Sequence, residues 1–195
     1  TRDIDELGGL WRTMPIAGAV AGAAGLSMAG APPLLGFSAK EAAVEAAIGL
    51  SGAELVIVGA AVIGGSVLTV AYTLRFLITV FGPGPVTDVA PPRLRMTVPA
   101  LVLSGGGVVG FAALGTVNDV VRPAAIELAP KADVYSLIRW PGITTAFVVS
   151  LLILGAGALV GALVVKGGTR RVPEPLGAEA ADGIIDGVLQ RAPAI

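Results

Sequence analysis

Residues 26–41 read LSMAGAPPLLGFSAKE, in which a break rich in glycine and proline is followed by Lys40 within an otherwise apolar region. The apolar residues before the break predict one helix, and residues 36–50 predict a second, shorter one. An ionisable side chain in an apolar membrane segment costs about 2.5 to 3.5 kcal/mol, so by default it indicates a function. The stretch therefore predicts a helix broken near residues 29–36, with a lysine close to the break. The break residues are Gly30, Pro32, Pro33 and Gly36.

The composition is far more apolar than that of a soluble domain of this length. Of 195 residues, 54% are hydrophobic and 14% are charged, and the mean hydropathy is +0.85. Because the chain has 28 glycines and only 5% aromatic residues, we expect its helices to pack through small residues. These features predict an all-α fold, namely a polytopic transmembrane helix bundle with one discontinuous helix.

The charged and polar residues exclude several classes of function. A net charge of −1 gives no basic surface for nucleic acid, and the chain has no Cys and no His, which removes disulfides and imidazole chemistry. The sequence predicts no metal site, no cofactor and no enzymatic nucleophile. The glycines at 105–107 and 110 lack the residues of a phosphate loop and indicate helix packing. Any proton carrier must therefore be Lys, Glu, Asp, Tyr or water.

Hydropathy divides the chain into membrane and surface segments. We expect an amphipathic cytoplasmic lead-in (1–13), the broken transmembrane helix (14–50), transmembrane helices at 55–81, 98–117 and 143–165, a cytoplasmic loop (82–97), an extracytoplasmic connection (118–142) and a cytoplasmic tail (166–195). The first residue is Thr1, and both ends have the character of loop sequence. We therefore interpret the sequence as an internal fragment of a longer chain.

The distribution of Lys and Arg indicates whether residues 14–50 cross the membrane once or twice. The two helical pieces are about 24 Å and about 20 Å long, each shorter than a hydrocarbon layer of about 30 Å. One broken crossing puts 8 basic residues on the side of the termini and 3 on the other, whereas two crossings give 6 and 5. The positive-inside rule favours the single broken crossing, with both ends of the fragment cytoplasmic.

Lys40 is the first candidate for chemistry. Non-helical backbone at membrane depth is tolerated only where protein or a water-filled cavity covers it, so broken helices form ion sites. The N-terminal end of the second helix and burial both disfavour a positive charge. We therefore predict that Lys40 changes its protonation state, as a proton relay requires. The alternative is a lysine at a helix end that extends to the membrane interface.

Two carboxylates follow the lysine on the same helix. Ser38 and Glu41 have the spacing of a capping box, so the first role of Glu41 could be structural. Glu45 lies one turn further along on the same face. We expect the two carboxylates to repel each other unless a cation lies between them or on a neighbouring helix.

The helix predicted at 55–81 carries a weakly polar stripe, which includes Ser66, Thr69, Tyr72, Thr73, Phe76 and Thr79. Such a stripe could line a water path, or it could hydrogen-bond to a partner helix. Arg75 lies on the stripe and could belong to the path or anchor the helix at the interface. Glu45, Tyr72 and Arg75 are thus candidates for the ion path or for its tuning.

The stretch from Leu26 to Glu41 strongly resembles the discontinuous-helix signature of the antiporter-like subunits shared by Mrp-type cation/proton antiporters and respiratory complex I. The motifs Ala71-Tyr72-Thr73-Leu74-Arg75 and Val80-Phe81-Gly82 look like the next helix of that family. The segment SMAGAPPL, residues 27–34, resembles the A subunits of the antiporters more closely than it resembles complex I. One departure is Leu35, where the A-type pattern often has Asn.

The resemblance implies roles for two residues. The lysine that matches Lys40 is, in that family, the last member of a chain of buried ionisable residues at the membrane midplane, next to the outer exit. By resemblance, Lys40 is a proton-relay residue and Glu41 is its neighbour in the relay. The same resemblance implies a bacterial inner-membrane location, partner subunits in a multisubunit complex, surrounding lipid, and H⁺ with Na⁺ or another monovalent cation as transported ions.

Three hypotheses for the function follow. The first is a fragment of a subunit that exchanges external H⁺ for cytoplasmic Na⁺, which is a secondary transporter rather than an enzyme. The second is the homologous proton-pumping subunit of a complex I-type NADH:quinone oxidoreductase. The third is a structural membrane scaffold that transports nothing.

Overall fold

The computed structural model describes residue 4 and residues 7–84, 94–128 and 136–167. In this part of the chain every regular element is helical, which confirms the predicted all-α fold. The described residues leave out most of the predicted cytoplasmic tail (166–195). They also leave out parts of the predicted lead-in (1–13), cytoplasmic loop (82–97) and extracytoplasmic connection (118–142). The helices are α1 (Leu10–Thr13), α2 (Pro15–Ala29), α3 (Leu35–Ile48), α4 (Gly52–Phe81), α5 (Leu94–Ala112), α6 (Leu114–Leu128) and α7 (Thr145–Lys166).

Three of the described helices are long and apolar enough to cross a membrane. They are α4, with 30 residues, α5 from Arg95 onward, with 18, and α7, with 22. Helix α2 is apolar but shorter, with 15 residues. The chain is therefore a multi-pass membrane protein, as its composition predicts.

Helices α4 and α7 form the centre of the bundle, and glycines on α7 let them approach closely. A Cβ atom at Gly157 would lie 2.8 Å from the Val67 carbonyl oxygen, and one at Gly161 would lie 2.9 Å from that of Ala71. The residue numbers rise together along the two helices, so α4 and α7 run parallel. Since any larger residue on this face of α7 would meet the α4 backbone, the glycines fix the register of the pair.

Helices α2 and α3 lie against successive parts of α4. A Cβ atom at Gly25 of α2 would lie 2.8 Å from Thr73 Cγ2, and Gly18 lies beside Phe81. Helix α3, in contrast, lines a groove with residues of α4 between Ala61 and Thr69. The two short helices thus follow one another along α4. That they cross the membrane together as one broken helix stays a prediction.

The lead-in meets the far end of α4. The N–H of Gly9 donates to the carbonyl oxygen of Gly82, at 2.9 Å. The residues before α2 and the residues after α4 therefore lie at the same end of the bundle.

The helix predicted at 98–117 differs from the structure, in which α5 ends at Ala112 and residues 114–117 belong to α6. Backbone hydrogen bonds continue through the junction, because the N–H of Ala113 bonds to Val109 at 2.8 Å and that of Val117 bonds to Ala113 at 3.2 Å. The two helices thus meet at a turn at Ala113. Hydropathy alone could not locate this turn, since the residues on both sides are apolar.

Candidate functional site

The break between α2 and α3 is built around Gly30. This glycine has a left-handed backbone (φ 77°), and the N–H of Ala31 bonds back to the carbonyl oxygen of Leu26 at 2.9 Å. Together with the 3.0 Å bond from Gly30 N–H to Ser27, this is a Schellman cap, for which glycine is the favoured residue. Pro32 and Pro33 follow outside any helix. Helix α2 therefore ends at Ala29, and the next helix begins at Leu35.

Gly36 holds the start of α3 against the end of α2. Its N–H donates to Ser27 Oγ at 3.3 Å, and a Cβ atom on Gly36 would overlap the Ser27 carbonyl oxygen. The neighbouring residue, Leu35, contacts α5, since a Cβ atom on Gly110 would lie 3.1 Å from Leu35 Cδ2. The break is thus packed between α2, α3 and α5, with glycines at the points of closest approach.

Lys40 reaches back across the break to the end of α2. Its Nζ donates to the carbonyl oxygen of Ala29 at 2.9 Å and to that of Met28 at 3.4 Å. These are terminal carbonyls of α2, which carry the negative end of the helix dipole. The expectation that a helix N-terminus acts on Lys40 is therefore wrong in its geometry, because the ammonium group lies at a helix C-terminus that stabilises its charge.

The lysine also faces an open groove of about 540 Å³ between α2, α3 and α4. The polar side chains that line the groove are those of Ser27, Lys40, Ser66 and Thr69, and most of the other lining residues are small. Thr69 Oγ1 donates to the carbonyl oxygen of Gly65 at 2.7 Å. The groove thus gives a partly polar wall beside an ionisable group that is itself half-buried.

Glu41 points away from that groove, toward α7. Its side chain is only 2% exposed, and its two carboxylate oxygens accept hydrogen bonds from Ser150 Oγ (2.8 Å) and Thr144 Oγ1 (3.4 Å). A buried carboxylate requires such donors, because an unsatisfied charge in an apolar environment is costly.

The predicted capping box is therefore wrong. Helix α3 has its N-cap at Leu34, so Ser38 lies inside the helix, where its Oγ donates to the carbonyl oxygen of Ile138 at 3.5 Å. Glu41 bonds to α7 instead of reaching back to the start of its own helix. The helix begins at Leu35, earlier than the serine suggested, and Leu34 is the last extended residue before it.

The other candidate residues do not line the groove at Lys40. Glu45 is exposed although it lies one turn from Glu41, Tyr72 is 52% exposed, and Arg75 is half-buried further along α4. Of the polar stripe on α4, the structure brings only Ser66 and Thr69 to the groove.

Sequence reasoning gave no role to Ser27, Thr144 or Ser150. A signal for Ser150 was present, since it stands seven residues before Gly157 and eleven before Gly161 on one helical face. A hydroxyl on a glycine-rich face of an apolar helix is expected to meet a partner helix. The identity of that partner could not be read from the sequence.

Comparison with known proteins shows which membrane proteins the chain is similar to. Residues 1–69 match the family described as NADH:quinone oxidoreductase/Mrp antiporter, TM, which confirms the resemblance seen in the sequence. Residues 1–69 are therefore similar to this family of antiporter-like membrane proteins.

Two similar curated proteins come from the genus Staphylococcus. The Na(+)/H(+) antiporter subunit A1 of Staphylococcus haemolyticus is 31% identical over 175 residues, which cover 82% of this chain and 22% of that protein. The subunit of the same name from Staphylococcus aureus strain Newman is 30% identical over 174 residues, with the same coverage. This chain thus spans about a fifth of the length of these relatives (22%).

Proposed function

We propose that this chain is part of a proton-translocating subunit of a multisubunit monovalent cation/proton antiporter, which exchanges external H⁺ for cytoplasmic Na⁺ across a bacterial inner membrane. The family and the names of the relatives support the class of transporter. The position of Lys40 is the main support for the role of this chain. Its side chain crosses the break between α2 and α3, and it lines a partly polar groove.

In this proposal α2 and α3 form one broken crossing, with both ends of the chain cytoplasmic. The hydrogen bond between Gly9 and Gly82 (2.9 Å) supports it. Two crossings would put the residues before α2 and the residues after α4 on opposite sides of the membrane, where no such bond could form. The serial arrangement of α2 and α3 along α4 supports it as well.

The lysine would act by moving between two states. Protonated Lys40 is held by the carbonyl oxygens of Met28 and Ala29, whereas a neutral amine would bind them more weakly. Loss of the proton would therefore release the side chain toward the groove. A proton that falls through 100 mV supplies about 2.3 kcal/mol, which is available to extrude a cation.

The test is sodium-dependent proton exchange, measured by dye quenching in everted vesicles that contain the intact complex. Lys40→Ala should abolish exchange while the complex still assembles. Lys40→Arg is the sharper variant, since arginine can hold the same carbonyl oxygens but does not release its proton. We expect assembly without exchange. Lys166→Ala, an exposed lysine at the end of α7, is the matched control and should exchange normally.

Full exchange by Lys40→Arg would support the scaffold hypothesis instead, because a merely structural lysine can be replaced by another cation. The redox-pump alternative keeps the same relay and is favoured by the first half of the family description. It predicts that the complex oxidises NADH with a quinone and pumps protons without sodium, which the same vesicles can measure.

A further inference from the structure

Helix α7 supplies both hydrogen-bond donors that the structure gives to Glu41. Ser150 donates to one carboxylate oxygen at 2.8 Å and Thr144 donates to the other at 3.4 Å. Ser150 is 4% exposed and Glu41 is 2% exposed. Since each oxygen has its own donor, the carboxylate is fixed in position and in rotation.

The same threonine also fixes the start of α7. Thr144 is the N-cap of that helix, and its Oγ1 accepts the N–H of Phe147 at 3.1 Å. One hydroxyl group therefore ties the first turn of α7 to the carboxylate of α3. The position of Glu41 depends on α7 being correctly placed.

Aromatic side chains also join α3 and α7. The ring of Phe147 lies 6.3 Å from that of Phe37 and 5.3 Å from that of Trp140, measured between centroids. Phe37 is 2% exposed. Hydrogen bonds are stronger in such an apolar environment, so the contact between α3 and α7 resists rearrangement.

We propose that Ser150 and Thr144 are positioning residues for the ion relay. They hold Glu41 and thereby set the rotation of α3 that directs Lys40 to the end of α2. Successive residues on a helix are about 100° apart, so a rotation of α3 that released Glu41 would also carry Lys40 away from Met28 and Ala29. This inference rests on the proposed function, because it assigns a role in the relay that Lys40 defines.

The test compares hydroxyl-deleting variants with a variant that keeps the hydroxyl, in vesicles that contain the intact complex at equal expression. Ser150→Ala and Thr144→Val should each lower the rate of sodium-dependent proton exchange about three- to tenfold, because a hydrogen bond to a charged acceptor is worth about tenfold or more and each variant leaves Glu41 its other donor. Thr144→Ser retains both the cap and the donor and should exchange like the parent.

Ser104→Ala is the matched control. Ser104 of α5 donates to the carbonyl oxygen of Val20 at 3.3 Å, so the variant loses an interhelical hydrogen bond that does not involve Glu41. It should leave exchange unchanged. If Ser150→Ala and Ser104→Ala lower exchange equally, the effect is general loss of packing and the inference is overturned.

Lys40→Ala, measured in the same series, separates this inference from the proposed function. Parental exchange in Ser150→Ala and Thr144→Val, with exchange abolished in Lys40→Ala, overturns the positioning role and leaves the relay intact. Parental exchange in Lys40→Ala overturns the relay itself. Both the relay and the positioning role are supported if Lys40→Ala abolishes exchange while Ser150→Ala and Thr144→Val lower it only partly. Thr144→Ser should then exchange like the parent.

Discussion

Lys40 and Glu41 are neighbours in sequence, yet they lie in opposite environments. Lys40 is half-buried, bonds to backbone carbonyls across a break and faces a groove. Glu41 is buried and held by two hydroxyl groups of a helix that is more than 100 residues further along the chain. One face of α3 thus presents an ionisable group beside open space, while the adjacent face fixes the helix in the bundle.

Under the proposed function, this difference gives these two charged residues of α3 separate roles. The lysine has room to change its contacts, as a carrier of protons requires. The glutamate is buried and has two donors at fixed distances, as an anchor requires. Four substitutions would break or sharpen this comparison.

Gly36→Ala should have the largest effect, because it separates the two helices on the lysine side. The new Cβ would overlap the Ser27 carbonyl oxygen, and a backbone atom cannot move aside as a side chain can. We expect a loss of about 2 to 3 kcal/mol in stability, seen as a lower melting temperature of the purified complex. Gly22→Ala, where a Cβ meets nothing within 4 Å, should melt like the parent. Equal melting of the two variants would show that the close approach is not needed.

Glu41→Gln tests the other face of α3. The amide keeps the shape but removes the charge and replaces one acceptor oxygen by an NH₂ group, so that one of the two hydroxyl groups of α7 loses its acceptor. We expect stability to fall by about 1 to 2 kcal/mol and exchange to fall with it.

Glu45→Gln is the control for this face, because Glu45 is exposed and one turn away. It should change stability by less than about 0.5 kcal/mol. An equal effect at both positions would contradict the assignment of Glu41 alone as the anchor. Loss of exchange in Glu45→Gln without loss of stability would return Glu45 to the ion path.

Much of this arrangement could be predicted from the sequence. The glycine and proline residues at 30–33 have strong local preferences, so the end of α2 at Ala29 and the position of Lys40 after the break needed no tertiary information. The apolar runs likewise predicted α4 and α7 to within three residues at each end.

The partners of the two charged side chains could not be predicted. Glu41 meets residues 103 and 109 positions away, and no local pattern encodes such a contact. The capping box failed because it requires its serine to be the N-cap, whereas Ser38 lies inside the helix. The direction of Lys40 across the break also depends on how α2 and α3 are joined, which a residue pattern does not specify.

Gly30→Ala tests how tightly the lysine depends on the cap of α2. Gly30 has φ 77°, and a Cβ there would lie 2.7 Å from Lys40 Cδ. The left-handed backbone costs a non-glycine residue about 1 to 2 kcal/mol, and the methyl group would displace the lysine from the carbonyl oxygens. We expect a partial loss of exchange at moderately lower stability.

Gly52→Ala provides the comparison for this variant, since Gly52 has φ 62° and nothing within 4 Å of its Cβ position. It should have the same backbone cost of about 1 to 2 kcal/mol with normal exchange. If both variants lose exchange in proportion to their stability, the contact between Gly30 and Lys40 has no functional role of its own.

Tyr72→Phe should have the smallest effect. The side chain of Tyr72 is 52% exposed and does not line the groove at Lys40, so removal of its hydroxyl group should change stability by less than about 0.5 kcal/mol. We expect sodium-dependent exchange at the parental rate. Thr69→Val removes a hydroxyl group that does line the groove, one turn earlier on the same helix, and is the informative partner. A large loss in Tyr72→Phe with none in Thr69→Val would mean that ions follow the exposed side of α4, and the groove would no longer be the favoured path.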